Sequence, residues 1–184
     1  MRKTVIIILS FISIFFMGTN RVSAQQKTVT GPEWNFVLGD WIGEGSGKPG
    51  EGAGWFTFNK ELDGNVLVRK SHTAFPAANG KPASVHDDLL IVYLDNAGAL
   101  TKAIYFDNEG HVINYAVSYN QADKSLVFTG EIQKDMPRFR LTYKALENNI
   151  LNIDFEFAPP NQPEAFSKYI SGKAHRKTAT EKLN

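Results

Sequence analysis

The sequence predicts an all-β fold, an antiparallel ten-stranded barrel with a short N-terminal helical turn, and three observations lead there. Runs rich in Val, Ile, Tyr and Phe recur along the chain, bounded by Gly, Asn, Asp and Pro. The connections between them are short and polar, which joins neighbours as antiparallel hairpins. No segment between the runs is long and periodic enough for a core helix.

Before the first of these elements comes a leader. Arg2-Lys3 makes a positive start, Thr4–Met17 is apolar, and Val22-Ser23-Ala24 places small residues ahead of a cut, so residues 1–24 read as a cleaved signal peptide. The apolar run falls short of the roughly 20 residues that span a bilayer. The expected location is therefore secreted or periplasmic. Removing the leader leaves 17 bases against 19 acids, a balance that argues against a nucleic-acid partner bound through a broad basic patch. The absence of cysteine excludes thiol nucleophiles, Cys-ligated zinc and a disulfide framework, and leaves stability to burial. Residues 25–31 read as a disordered mature N-terminus, 32–177 as one domain, and 178–184 as a flexible tail.

Within the domain, 32–38 makes a short helical turn that sets Trp34, Phe36 and Leu38 against the body. Strands follow near 41–47, 54–61, 65–74, 85–95, 100–107, 111–120, 124–132, 137–146, 149–158 and 166–176. Asp63-Gly64 favours a tight primed turn, while Asn96-Ala97-Gly98, Asn108-Glu109-Gly110 and Glu147-Asn148-Asn149 are polar reversals that tolerate left-handed backbone. The proline-rich 158–163 breaks the ladder and reads as an ordered rim loop. Alternation assigns the faces. Leu151, Ile153, Phe155 and Phe157 oppose Asn152, Asp154 and Glu156, and Phe139, Leu141 and Tyr143 oppose Arg138, Arg140 and Lys144. A sheet with one apolar face must cover it, and ten sequential strands do so by closing, which also removes exposed edges. Because diameter grows with strand number, a ten-stranded barrel is expected to hold a cavity.

Leu38-Gly39-Asp40-Trp41, followed by Gly43, Gly45 and Gly47, resembles the opening of lipocalin-type (calycin) barrels. The resemblance implies that Trp41 lies across the base under an arginine of the last strand, here Arg176, as a structural closure. The mature chain is similar to the DUF1579-like, nitrobindin-related barrels in Leu62-Asp63-Gly64-Asn65-Val66-Leu67-Val68, Tyr105-Phe106-Asp107-Asn108-Glu109-Gly110 and Arg138-Phe139-Arg140-Leu141-Thr142-Tyr143. What it implies is a lipocalin-like barrel with an apolar interior. It also raises haem, which nitrobindin-like barrels hold through an inward histidine of the last strands. If Trp41 and Arg176 point in, His175 points out, so no haem or other cofactor is expected; His175 and then His86 are the alternatives should haem bind.

Other chemistry is weakly signalled. Gly45-x-Gly47-x-x-Gly50 matches a dinucleotide fingerprint only formally, because Pro49 interrupts it and Trp55-Phe56-Thr57-Phe58 reads as a strand, so the stretch is a barrel-rim hairpin. None of His72, His86, His111 and His175 belongs to a His-x-His or His-Glu-x-x-His pattern, and no metal site is expected. His86-Asp87-Asp88 reads as a solvent-facing turn-exit cluster, with a divalent-ion or general-base role as the rival; His111 is expected at a rim. Asp154 and Glu156 share an outer face, where paired acids lack the desolvation that acid–base work needs. The C-terminal basic residues, from Arg138 to Lys177, read as a solvated wall.

The expectation is a non-catalytic barrel that binds a small apolar molecule, with the alternatives of a haem protein acting on nitrogen oxides or a structural barrel without ligand. Its ligand-binding residues are expected to be Phe139, Leu141, Tyr143, Ile153 and Phe155, with Tyr105 and Tyr115 as polar-tipped contributors. Oligomeric state is left open.

Overall fold

The computed structural model describes residues 30–45, 52–147 and 149–183. The leader, most of the mature N-terminus and the centre of the glycine-rich hairpin lie outside the described residues. Ten strands run β1 Gly39–Gly43, β2 Ala53–Glu61, β3 Val66–Phe75, β4 Ser84–Leu94, β5 Leu100–Asp107, β6 Val112–Asn120, β7 Ser125–Gly130, β8 Arg138–Ala145, β9 Ile150–Ala158 and β10 Ser167–Arg176. Each pairs antiparallel with its neighbours in sequence, and β1 pairs with β10, so the sheet is an up-and-down closed barrel. A single 3₁₀ turn, Pro32–Trp34, precedes it, with proline at the first position where its missing N–H costs nothing.

Strand extents differ from expectation chiefly at β1. It begins at Gly39 and ends at Gly43, two residues early at one end and four at the other. The chain leaves the ladder where the glycine-rich stretch begins. Gly54 shows what glycine does there: a Cβ at that position would lie 2.0 Å from the His72 carbonyl oxygen, so the backbones of β2 and β3 approach as only glycine allows. The reversal at Asp63-Gly64 is wider than two residues, because Leu62, Asp63 and Gly64 all adopt positive φ. Two other hairpins use an aspartate ahead of their asparagine. Asp95 accepts from the Ala97 and Ala99 amides, and Asp107 accepts from those of Glu109 and His111, each with a left-handed glycine at the third residue after it.

The two ends of the barrel differ. At the end holding the Pro32–Trp34 turn, Trp34, Val37, Trp41, Phe58, Leu67, Leu90, Val92, Leu126, Phe128 and Leu151 pack into one buried cluster. Thr30 is part of this seal, its hydroxyl donating to the Gly64 carbonyl at 2.8 Å. The opposite end is bordered by the β3–β4, β5–β6, β7–β8 and β9–β10 connections. The proline-rich one is clasped there: Phe166 lies under Arg140, 4.1 Å from its guanidinium carbon, and Arg138 donates to the Pro163 carbonyl. At the other terminus, Glu181 accepts from the Thr178 amide and lies 2.8 Å from His175, which holds the tail against the outer wall. These contacts lower the Glu181 pKa to about 2.

Closure rests on a short seam. β1 and β10 pair over three positions, and at one of them Trp41 faces Arg176 across the ladder. The guanidinium carbon sits 4.5 Å from the Trp41 ring centroid, and its nitrogens donate to the Leu38 and Phe36 carbonyls at 2.6 and 3.4 Å. Trp41 in turn donates from its indole to the Val37 carbonyl at 2.8 Å. Arg176→Met would remove the cation–π contact and both carbonyl bonds while keeping most of the stem. It should cost about 2–3 kcal/mol, read as a lowered urea midpoint at unchanged m-value.

Candidate functional site

Strand alternation brings a charged cluster into the interior, where the sequence pattern predicts apolar side chains. On β3 the inward positions are Leu67, Arg69 and Ser71, and on β4 they are His86, Asp88, Leu90 and Val92. His86-Asp87-Asp88 is therefore not one solvent-facing cluster. Period-two geometry sends Asp87 outward to the His72 imidazole at 2.7 Å and turns His86 and Asp88 into the barrel.

Arg69 and Asp88 form the centre of the site. Nη1 of Arg69 donates to Oδ1 of Asp88 at 2.5 Å, with the two side chains 10% and 5% exposed. Arg69 also lies over two rings, its guanidinium carbon 5.4 Å from the Phe56 centroid and 5.8 Å from that of Tyr143. Burial opposes the Arg69 charge, but its surroundings, the Asp88 carboxylate first among them, outweigh it and raise its pKa. The guanidinium carries five N–H donors. Among the described residues its one side-chain hydrogen bond is that to Asp88, and Nε is buried without a partner. The Tyr143 hydroxyl, on β8, is likewise buried and unpartnered.

Around this pair stand Tyr105 of β5 and Tyr115 of β6. Burial, the largest cause for each, raises the pKa of Tyr105, Tyr115 and Tyr143, and the Asp88 charge pushes in the same direction, so all three hydroxyls stay protonated at ordinary pH. His86 closes the cluster on the open side. Its Nε2 lies 3.0 Å from the Tyr105 hydroxyl and its Nδ1 3.2 Å from Glu109.

The residues expected to bind ligand all fall on the inner face. Leu141 and Tyr143 on β8 and Ile153 on β9 pair across the ladder with Phe155, Ile153 and Tyr143, and Phe139 stacks on Phe155 at 5.5 Å. They divide by depth. Leu141 and Tyr143 belong to the buried cluster, whereas Phe139, Ile153, Phe155 and Tyr105 are only partly buried against it. On β10 the inward Ile170 is 54% exposed, and a Cβ built on inward Gly172 meets no atom within 4 Å. The barrel is thus packed in its lower half, floored by Arg69, Asp88 and Tyr143, while the space beside Gly172 and Ile170 on the upper part of β10 is open. Two depressions, of about 460 and 400 Å³, touch the edges of this cluster, the first having Tyr115 in its wall and the second Ser71, Asp88 and Asp107, while neither reaches Arg69, Tyr143 or Phe139.

Other candidates resolve by geometry. His86, Asp107 and Glu109 come close enough to share an ion. Asp107, however, already accepts from the Glu109 and His111 amides and lies 2.8 Å from the His111 imidazole and 3.3 Å from the Tyr105 hydroxyl. Those partners use its lone pairs to shape the turn. His175 faces outward, as strand parity requires, and engages Glu181. Asp154 and Glu156 are outer-wall partners of Lys168 with Ser171 and of Arg140 respectively. Sequence reasoning missed Arg69 altogether and read Asp88 as part of a solvent-facing cluster rather than as an interior partner of an arginine. The available signal was a charge at an inward parity position on each of two adjacent strands.

Comparison with protein-family models finds no match, and comparison with curated proteins finds none either. What fold and site define is a closed ten-stranded antiparallel barrel with a charged internal floor.

Two expectations follow. Asp88→Ala would leave the Arg69 charge buried and unpaired, costing about 3–5 kcal/mol in chemical denaturation, whereas Arg69→Met combined with Asp88→Leu should recover most of that loss. Burial alone would raise the Asp107 pKa, but the His111 contacts and the Glu109 amide outweigh it and the folded value is lowered. Its stabilisation is complete above the unfolded value of about 3.9 and disappears as pH falls through the lower folded value. Asp107→Asn should therefore be less stable than the parent at pH 7, and the difference should shrink as pH is lowered below about 4.

Proposed function

We propose that the chain is an exported barrel that binds a small, mainly apolar molecule in the upper half of its interior, without catalysis. The observation that carries this reading is the open space at inward Gly172 above a sealed, charged floor. Protein interiors are otherwise packed nearly as densely as organic crystals, and an unfilled, aromatic-lined lumen over a few polar groups is the usual form of a small-molecule site. Phe139, Ile153 and Phe155 supply apolar wall, continued by the exposed Ile170 beside Phe155, and Tyr105 and His86 supply polar atoms near the entrance. Burial of apolar ligand area against these walls would provide most of the binding energy, at roughly 25 cal/mol per Å². Export rests on the leader pattern of residues 1–24, and kinship with DUF1579-like, nitrobindin-related barrels on the sequence pieces that resemble them.

Gly172 offers a direct test. It has no positive φ and faces open space, so Gly172→Phe should fold with unchanged thermal stability while its ring occupies the lumen. Binding of an environment-sensitive apolar dye should fall more than about tenfold, a loss of at least about 1.4 kcal/mol. Equal dye binding by the two proteins would place the dye elsewhere and overturn interior binding.

A further inference from the structure

We infer that the interior site selects a ligand whose polar end is an uncharged oxygen acceptor, such as a ketone or ester carbonyl, in preference to a carboxylate; this rests on the interior-binding reading above. The floor is short of acceptors and not short of negative charge. Arg69 has five N–H donors and spends one side-chain hydrogen bond on Asp88, while its Nε and the Tyr143 hydroxyl lack partners. Nε–H can only donate, and the protonated Tyr143 hydroxyl can donate beside it, whereas that of Tyr105 is engaged by Asp107 and His86. A group that completes this set must bring oxygen lone pairs.

Charge decides which oxygen. The single cation of the floor is already matched by Asp88 at 2.5 Å. The ionisable groups between floor and entrance are His86, Asp107 and Glu109, with His111 at the rim beyond them. Asp107 is only 4% exposed and accepts from the Tyr105 hydroxyl, so a second carboxylate stands beside the cluster. An entering carboxylate would meet Asp88 and Asp107 with Arg69 already engaged, and like charges at such range repel strongly where water is excluded. A carbonyl accepts the same hydrogen bonds without adding charge. The apolar remainder of the ligand then extends along Phe139, Phe155 and Ile170 toward the mouth.

Three molecules of one skeleton separate these terms: 2-acetylnaphthalene carries the carbonyl, 2-naphthoate the carboxylate, and 2-ethylnaphthalene neither. With the purified mature protein at pH 7, titrations followed by ligand fluorescence should give the ketone an affinity about tenfold above each of the other two, the worth of roughly one or two net hydrogen bonds. Asp88→Asn leaves the Arg69 charge unmatched and should move the ranking toward naphthoate by about tenfold. Circular dichroism establishes that this variant is folded, and if it is not, the ranking in the parent protein decides alone. Naphthoate binding tightest to the parent overturns the neutral-acceptor selection. Ketone and ethyl compound binding equally overturns recognition of a polar end while leaving interior binding intact. No binding of any of the three, with the apolar dye also failing to bind, overturns the interior-binding reading itself.

Discussion

The structure depends on closing a ten-stranded ladder through its shortest strand. β1 contributes five residues and meets β10 at three, so few hydrogen bonds hold the seam. The Trp41–Arg176 contact compensates by adding a ring, a cation and two carbonyl acceptors at that point. It does more than close the wall. By binding the Leu38 and Phe36 carbonyls, Arg176 fixes the approach of the Pro32–Trp34 turn, and with it the plug of Trp34 and Val37 across the base. Gly39 lets the chain pass: its φ of +103 is glycine territory, and a Cβ there would lie 2.8 Å from the Arg176 guanidinium.

A closed base changes the character of everything above it. In the lower half, inward side chains from opposite walls reach one another, and the ring contacts among Phe56, Phe58, Phe128 and Tyr143 fill the section. Higher up, β10 brings Gly172, which has no side chain, to the inner face and the space beside it is open, whereas Ala174 below it belongs to the buried core. The Arg69–Asp88 pair lies at this boundary. Such a pair is a poor device for stability, because desolvating two charges offsets much of their attraction.

Much of the barrel was legible in the sequence because its signal is local. Hairpin turns announce themselves in Asp95-Asn96-Ala97-Gly98 and Asp107-Asn108-Glu109-Gly110, and period-two alternation assigned β8 and β9 their inner faces residue by residue. Those strands alternate cleanly, and so Phe139, Leu141, Tyr143, Ile153 and Phe155 stand where the pattern placed them. β3 and β4 do not alternate cleanly. Val66-Leu67-Val68 and Leu89-Leu90-Ile91-Val92 are apolar on both faces, which hides their phase, and Arg69 and His86-Asp87-Asp88 then look like surface residues.

The sequence by itself determined the class of fold, the strand order and the residues available to close the barrel, because hydrophobic period and turn chemistry act over a few residues. Only the tertiary structure decided which charges go inside. Arg69 and Asp88 are 19 positions apart, and neither could be buried alone. The β3–β4 register sets their strands side by side, and each makes the other's burial tolerable. Whether the interior is filled was equally a tertiary matter. Leu141 and Phe155 are both apolar inward residues and pair directly across adjacent strands, and only what packs around each in the closed barrel makes one core and the other partly exposed wall.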